Sequence, residues 1–115
     1  MVEYQWGIFW ANLNPVKGSE QAGKRPVLII SAEEVNQVLP VVTVIALTSV
    51  KEDRKIYPTE VFLSASDTGL PKDSIAMAHQ IRSVAKERLQ QKSGHITSIE
   101  VREKIKIIIR LYLDI

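Results

Sequence analysis

The sequence contains no cysteine, which excludes a disulfide framework, a thiol nucleophile and a cysteine-ligated zinc site. Histidine is scarce too: His79 and His95 are the only two, and they lie too far apart for a His-led metal motif. No metal or cofactor is expected. Aromatic residues make up only 6% of the chain, and no apolar run approaches the roughly 20 residues that a membrane-spanning helix needs. The first residues include Glu3 and lack the basic region that precedes the apolar core of a secretory signal. Together these absences point to a soluble, cytoplasmic protein with no membrane partner. Charge of one sign is also in short supply: fifteen Lys and Arg against thirteen Asp and Glu give a net charge of +2. A duplex-binding protein that works by neutralising phosphates usually carries a larger excess, so a nucleic-acid site here has to be a local basic groove.

What remains is an ordinary globular composition, 45% hydrophobic and 24% charged, in 115 residues. That length allows one domain, residues 1–115, and one small core. A core of this size is readily completed by a second copy, so a homodimer is expected. Gly7 to Leu13 is aromatic and branched and stops at Asn14-Pro15, which reads as a strand and a turn. A polar loop from Val16 to Lys24 carries Gly18 and Gly23, and Arg25 to Ser31 forms the next strand. Ala32 to Gln37 has room for one helical turn. Val41 to Thr48 is β-branched almost throughout and reads as a fully buried strand. After a charged loop from Ser49 to Tyr57, strand patterning returns over Thr59 to Ser64, and Ser66 to Pro71 is a turn. Ser74 to His79 and Gln80 to Val84 have no glycine or proline between them and suit one long strand with a bend. Near the end, Thr97-Ser98-Ile99-Glu100 fits a helix capping box. Val101, Ile105, Ile108, Ile109 and Tyr112 follow at helical spacing, with Ile107 and Leu111 widening the apolar face. Short strands at close spacing followed by one helix indicate a small antiparallel barrel with a C-terminal helix, mainly β with α.

Chemistry is most legible in the first long loop. Its glycines expose backbone amides, and Lys24-Arg25 stand where the next strand opens. Arg carries a planar fork of donors suited to phosphate oxygens and stays charged at any useful pH. A solvated basic pair beside a turn is the plainer reading. Pro26 weighs against it, because proline restricts the residue before it to extended backbone and so holds Arg25 beside the loop.

The run Trp10-Ala11-Asn12-Leu13-Asn14-Pro15, followed by Gly18-Ser19-Glu20-Gln21-Ala22-Gly23-Lys24-Arg25-Pro26-Val27-Leu28, closely resembles the start of the MazF/PemK family of toxin endoribonucleases. The resemblance continues at Ala46-Leu47-Thr48-Ser49 and at His79-Gln80-Ile81-Arg82, so it spans essentially the whole chain. It implies an SH3-like, CcdB/PemK-type barrel, a homodimer and metal-independent cleavage of single-stranded RNA at short sequence motifs. It also implies a cognate MazE-like antitoxin whose flexible acidic segment covers the RNA groove. By position, the resemblance makes Arg25 and Thr48 the principal catalytic pair. It makes Ser19, Glu20, Gln21, Lys24, Gln80 and Arg82 the RNA-binding set, and Lys17, which stands in the loop where relatives commonly carry a less polar residue, is expected to touch phosphate as well. The substrate's 2′-hydroxyl would attack the adjacent phosphate, giving 2′,3′-cyclic phosphate and 5′-hydroxyl ends, so the enzyme needs donors and proton transfer and no nucleophile of its own.

His79 stands where relatives often carry an acidic residue. It reads either as the general base for the 2′-hydroxyl or as a structural histidine bonded to backbone. His95 is expected to be a solvated turn residue. Gln5-Trp6-Gly7 replaces the Arg-Gly-acidic stretch usual in relatives, which makes Trp6 either a stacking platform for an unpaired base or part of a dimer interface. Two rival readings use the same fold without catalysis: a CcdB-like topoisomerase poison and an inactive SH3-like binding module.

Overall fold

The computed structural model describes residues 2–13, 18, 20 and 23–115. Six strands form one antiparallel sheet: β1 Gly7–Asn12, β2 Lys24–Ile29, β3 Val41–Ser49, β4 Glu60–Leu63, β5 Ser74–Ala85 and β6 Leu89–His95. Their spatial order is β4-β5-β3-β2-β1-β6. The sheet has the small antiparallel architecture expected from the strand pattern, but it does not close, and β4 and β6 are its edges. Helices α1 Glu33–Val38, α2 Ala65–Thr68 and α3 Ile99–Leu113 complete the chain.

Two departures from regular pairing bend the sheet. On β5, Met77 pairs with Ala46 and Arg82 with Val44, so residues 78–81 stand against Ile45 alone. On β1, the register with β6 shifts on either side of Phe9. Extra residues on one strand of a pair kink it and increase its twist. The bend anticipated between Ser74–His79 and Gln80–Val84 is therefore a wide bulge, and it pushes His79 and Gln80 out of the ladder.

Side chains alternate between the two faces of the sheet. On one face Ile8, Leu28, Ile45 and Leu47 meet Val101, Ile105 and Ile108 of α3. On the other, Phe9, Ala11, Leu13, Val27, Ile29, Val42, Val44 and Val84 form a second cluster, with Tyr4 and Leu89 packed against it. Burial on both faces explains the unbroken apolar run of β3, in which Val42, Val44, Ile45, Ala46 and Leu47 are all buried.

Several local expectations are corrected. The N-cap of α3 is Ser98 and not Thr97: the Ser98 hydroxyl accepts the Val101 N–H at 3.3 Å, which places Glu100 one residue too early to close a capping box. Tyr112, read as part of the packing face of α3, is exposed; Ile107 and Leu111, read as widening that face beyond one packing contact, are exposed as that reading has it. The turn after β4 contains a short helix, opened by Ser64, whose hydroxyl accepts the Asp67 N–H, and ended by Gly69 at φ 82°. Leu89–His95 has neither β-branched residues nor apolar alternation, yet it forms β6 by pairing with β1. Gly94 permits this: a Cβ there would lie 2.2 Å from the Thr68 carbonyl oxygen.

Trp6 is only 7% exposed within a single chain and belongs to the cluster beneath α3. Its N–H donates to the Ile29 carbonyl, its carbonyl accepts the Ile96 N–H, and the Arg102 guanidinium lies 5.3 Å from its ring. It is a core residue, neither a surface platform for a base nor a side chain waiting for a second subunit. His95 is not a solvated turn residue either. It ends β6 opposite Gly7, its side chain is 23% exposed, and its buried Nδ1 has no hydrogen-bond partner. Burial, then the Lys92 charge, holds its imidazole below the ordinary histidine range against the opposing pull of Glu3.

Candidate active site

The register places the principal residues. Val27 pairs with Ala46 in the β2–β3 ladder, and continuing that antiparallel register by two residues sets Arg25 across from Thr48. Thr48 pairs in turn with Ile75, and Ile75 with Phe62, so one row crosses the sheet on one face from Arg25 to Phe62. Directly opposed residues have Cβ atoms about 5 Å apart, within reach of one phosphate group for an arginine and a threonine. Pro26 pairs with Trp10, and its lack of an N–H is tolerated at the start of the strand.

Arg25 and Thr48 line a depression of about 320 Å³ together with Lys24, Trp10, Pro26, Leu70, Pro71 and Lys72. Asp73 and Ser49 also line it, at the end of the sheet where β2 begins and β3 ends. The remaining predicted residues gather elsewhere. His79, Gln80, Arg82 and Glu20 line a second depression of about 110 Å³, floored by Leu13, Val27, Val44 and Ala46. The two depressions share no lining residue. However, Val27 and Ala46 precede Arg25 and Thr48 by two residues on the same strands and face, a separation of about 7 Å. Arg82 donates from Nη1 to the Leu13 carbonyl at 3.2 Å, tying β5 to the start of the β1–β2 loop. Lys17, Ser19 and Gln21 lie outside the described residues.

His79 is held by a network that sequence reasoning missed. Its Nδ1 is 3.0 Å from the Thr59 hydroxyl, and its Nε2 is 3.9 Å from the Glu60 carboxylate. The Glu60 side chain is 1% exposed, accepts two bonds from the Arg54 guanidinium at 3.0 and 2.8 Å, and accepts the Tyr57 N–H at 2.9 Å. Arg54 also donates to the Lys55 carbonyl. Burial alone would push the Glu60 carboxyl up; the Arg54 bonds and the Tyr57 N–H overcome it and hold the group below the usual carboxylate range. Glu60 in turn raises the Arg54 guanidinium above its ordinary value. The sequence signal was a glutamate in a strand whose polar and apolar positions alternate only in part, next to a charged loop. Neither feature says that Arg54 folds back over the sheet. His79 is thus bonded to a side chain and not, as its structural reading supposed, to backbone.

Residues 4–113 match the family described as PemK-like, MazF-like toxin of type II toxin-antitoxin system. The chain belongs to this family. Among similar proteins, the toxin is 36% identical over 113 residues to Endoribonuclease MazF9 of Mycobacterium tuberculosis, covering 94% of this chain and 93% of the relative. It is 40% identical over 96 residues to Endoribonuclease MazF of Staphylococcus saprophyticus, covering 84% and 79%. A crystal structure of MazE-MazF from Deinococcus radiodurans superposes with a TM-score of 0.75 at 25% identity, covering 100% of the toxin and 98% of that chain.

Proposed function

We propose that the toxin is an endoribonuclease that cuts single-stranded RNA by using the substrate's own 2′-hydroxyl as nucleophile. The observation that carries this reading is that the β2–β3 register, extended two residues past Val27–Ala46, sets Arg25 opposite Thr48 on the face that also bears the depression lined by His79, Gln80 and Arg82. The names of the two relatives, both endoribonucleases, support it. In the reaction, the 2′-oxygen loses its proton and bonds to phosphorus, the P–O5′ bond breaks, and O5′ takes up a proton. The products are a 2′,3′-cyclic phosphate and a 5′-hydroxyl. Arg25 stabilises the charge that builds on the phosphorane, and Thr48 donates a hydrogen bond to a non-bridging oxygen. His79 serves as the base: the Thr59 hydroxyl fixes the ring through Nδ1 and leaves Nε2 to accept the proton. The Glu60 carboxylate, 3.9 Å away, has the sign that stabilises the resulting charge. Gln80, Arg82 and Glu20 border the neighbouring stretch of the strand's path.

The same reading includes a cognate antitoxin, since the Deinococcus structure pairs a MazF with a MazE, and a homodimer formed through exposed apolar residues of α3 such as Ile107 and Leu111. No helix among the described residues is long and apolar enough to cross a membrane, and a cytoplasmic site of action belongs to the same proposal as the RNA substrate. Incubating purified protein with single-stranded RNA in EDTA tests the function. Site-selective cuts are expected; intact RNA together with inhibition of a DNA topoisomerase would transfer the assignment to a non-catalytic poison of the same fold.

A further inference from the structure

Phe62 is out of place on the face that carries the proposed site. Two neighbouring rows cross this face, Arg25–Thr48–Ile75–Phe62 and Val27–Ala46–Met77–Glu60. Val27, Ala46, Met77 and Ile75 are buried, whereas Phe62 is 45% exposed. It stands on the edge strand β4, where natural sheets often place charge to discourage pairing with other chains. A second aromatic adjoins it: the Glu60 N–H donates to the Tyr57 carbonyl, a turn that sets the exposed Tyr57 at the entry to β4. The one carboxylate in the two rows, that of Glu60, is buried and paired with Arg54, which also lies against Met77. On the loop before β4, Glu52 and Asp53 are matched by Lys51 and Lys55. The first row therefore has a guanidinium suited to phosphate at one end and an open apolar ring at the other, with no carboxylate between them. Neighbouring strands are about 4.8 Å apart, so Phe62 stands about 10 Å from Thr48, within reach of a nucleotide next to a phosphate held there.

We infer that Phe62 is the stacking platform for one unpaired base of the RNA, that of a nucleotide next to the cleaved phosphate, and that the strand there crosses the sheet from β2 towards β4. This rests on the proposed RNA cleavage, which supplies the phosphate position at Arg25 and Thr48. Single strands are held by aromatic faces that stack on bases together with cations that meet the backbone, and this row carries one of each. A second copy of the chain, or an apolar peptide laid on β4, would use the bulk of Phe62 without needing a flat ring in line with a phosphate-binding pair. The ring accepts any base face, so it supplies affinity and places the strand without choosing among bases.

The test titrates protein into a fluorescently labelled single-stranded oligonucleotide, made uncleavable by 2′-deoxy substitution, and follows its anisotropy. Phe62→Ala should bind roughly 5- to 150-fold more weakly than the wild type. Phe62→Leu keeps the apolar bulk without the flat ring and should lose nearly as much, whereas Phe62→Tyr should bind as the wild type does. An abasic residue moved along the oligonucleotide should weaken wild-type binding most at one position, and there it should cause no further loss in Phe62→Ala. Undiminished binding by Phe62→Ala overturns the platform, as does full binding by Phe62→Leu, a loss independent of every abasic position, or a wild type that binds no oligonucleotide. Sedimentation of the free proteins supplies the remaining control: equal masses for wild type and Phe62→Ala are expected, and a smaller mass for the variant would assign Phe62 to an interface between copies and overturn the platform. If Phe62→Ala fails to fold, Phe62→Leu and the wild-type abasic scan decide in its place. Cleavage of the same sequence as unmodified RNA by the wild type is measured separately. Phe62-dependent binding without cleavage would refute the endoribonuclease reading and leave a platform for a bound strand, whereas cleavage with Phe62-independent binding would do the reverse.

Discussion

Replacing Glu60 perturbs the toxin where charge, burial and the position of His79 meet. Glu60→Ala removes two charge-assisted bonds to Arg54 and the acceptor of the Tyr57 N–H, and it leaves a guanidinium that is only 23% exposed facing Met77 without its counter-charge. Breaking a buried ion pair by removing one partner costs about 3–5 kcal/mol, and the partial exposure of Arg54 lowers that to about 2–3 kcal/mol. For a domain of this size each kcal/mol shifts Tm by about 3–6 °C, so a fall of roughly 6–18 °C is expected in thermal unfolding followed by circular dichroism at pH 7. Glu60→Gln keeps the shape and one acceptor oxygen and should lose less. The pH dependence adds a second readout. Because the folded Glu60 carboxyl sits below 4.5, its contribution is fully present above that value and is lost as pH falls through the lower folded one. Wild-type Tm should therefore drop steeply below pH 4.5, and Glu60→Gln should drop less over the same range. If both variants melt with the wild type at pH 7 and follow its acid limb, the Arg54–Glu60 pair contributes nothing and the reasoning fails.

Two further outcomes follow from packing and titration. Gly94→Ala places a methyl group 2.2 Å from the Thr68 carbonyl and should destabilise by about 1–3 kcal/mol by forcing α2 from β6; an unchanged denaturant midpoint would refute that close approach. His95 is held neutral by burial and by Lys92, so the unfolded chain takes up its proton first and stability should fall as pH drops below 6.5. His95→Asn should flatten that limb between pH 7 and 5, and an identical slope in the variant would count against it.

How much of this was legible in the sequence depended on whether the signal was local. The β-branched run of β3, the Arg25-Pro26 entry to β2 and the α3 periodicity are local, and each marked its element. Arg25 and Thr48 could be named from resemblance, whereas their facing one another follows only from extending the β2–β3 register two residues past Val27–Ala46. Residues whose role depends on distant contacts were misread. Trp6 looked like a surface aromatic because nothing nearby in sequence reveals the α3 cluster that buries it. His95 looked solvated because β6 carries no strand pattern and is held by β1 and the Thr68–Gly94 contact. Arg54 looked like a loop charge and Glu60 like an ordinary strand residue, because the contact that pairs them depends on the fold that brings β4 onto β5.

The central claim is that Arg25 and Thr48 stabilise the phosphorane while RNA supplies the nucleophile. The most direct measurement is the single-turnover cleavage rate of a single-stranded RNA in EDTA, compared among wild type, Arg25→Ala and Thr48→Ala, with Tm recorded for each. The account predicts cyclic-phosphate ends from the wild type and a loss of about 10²–10³-fold in rate for each variant, with the fold retained. Cleavage by Arg25→Ala at the wild-type rate would contradict it.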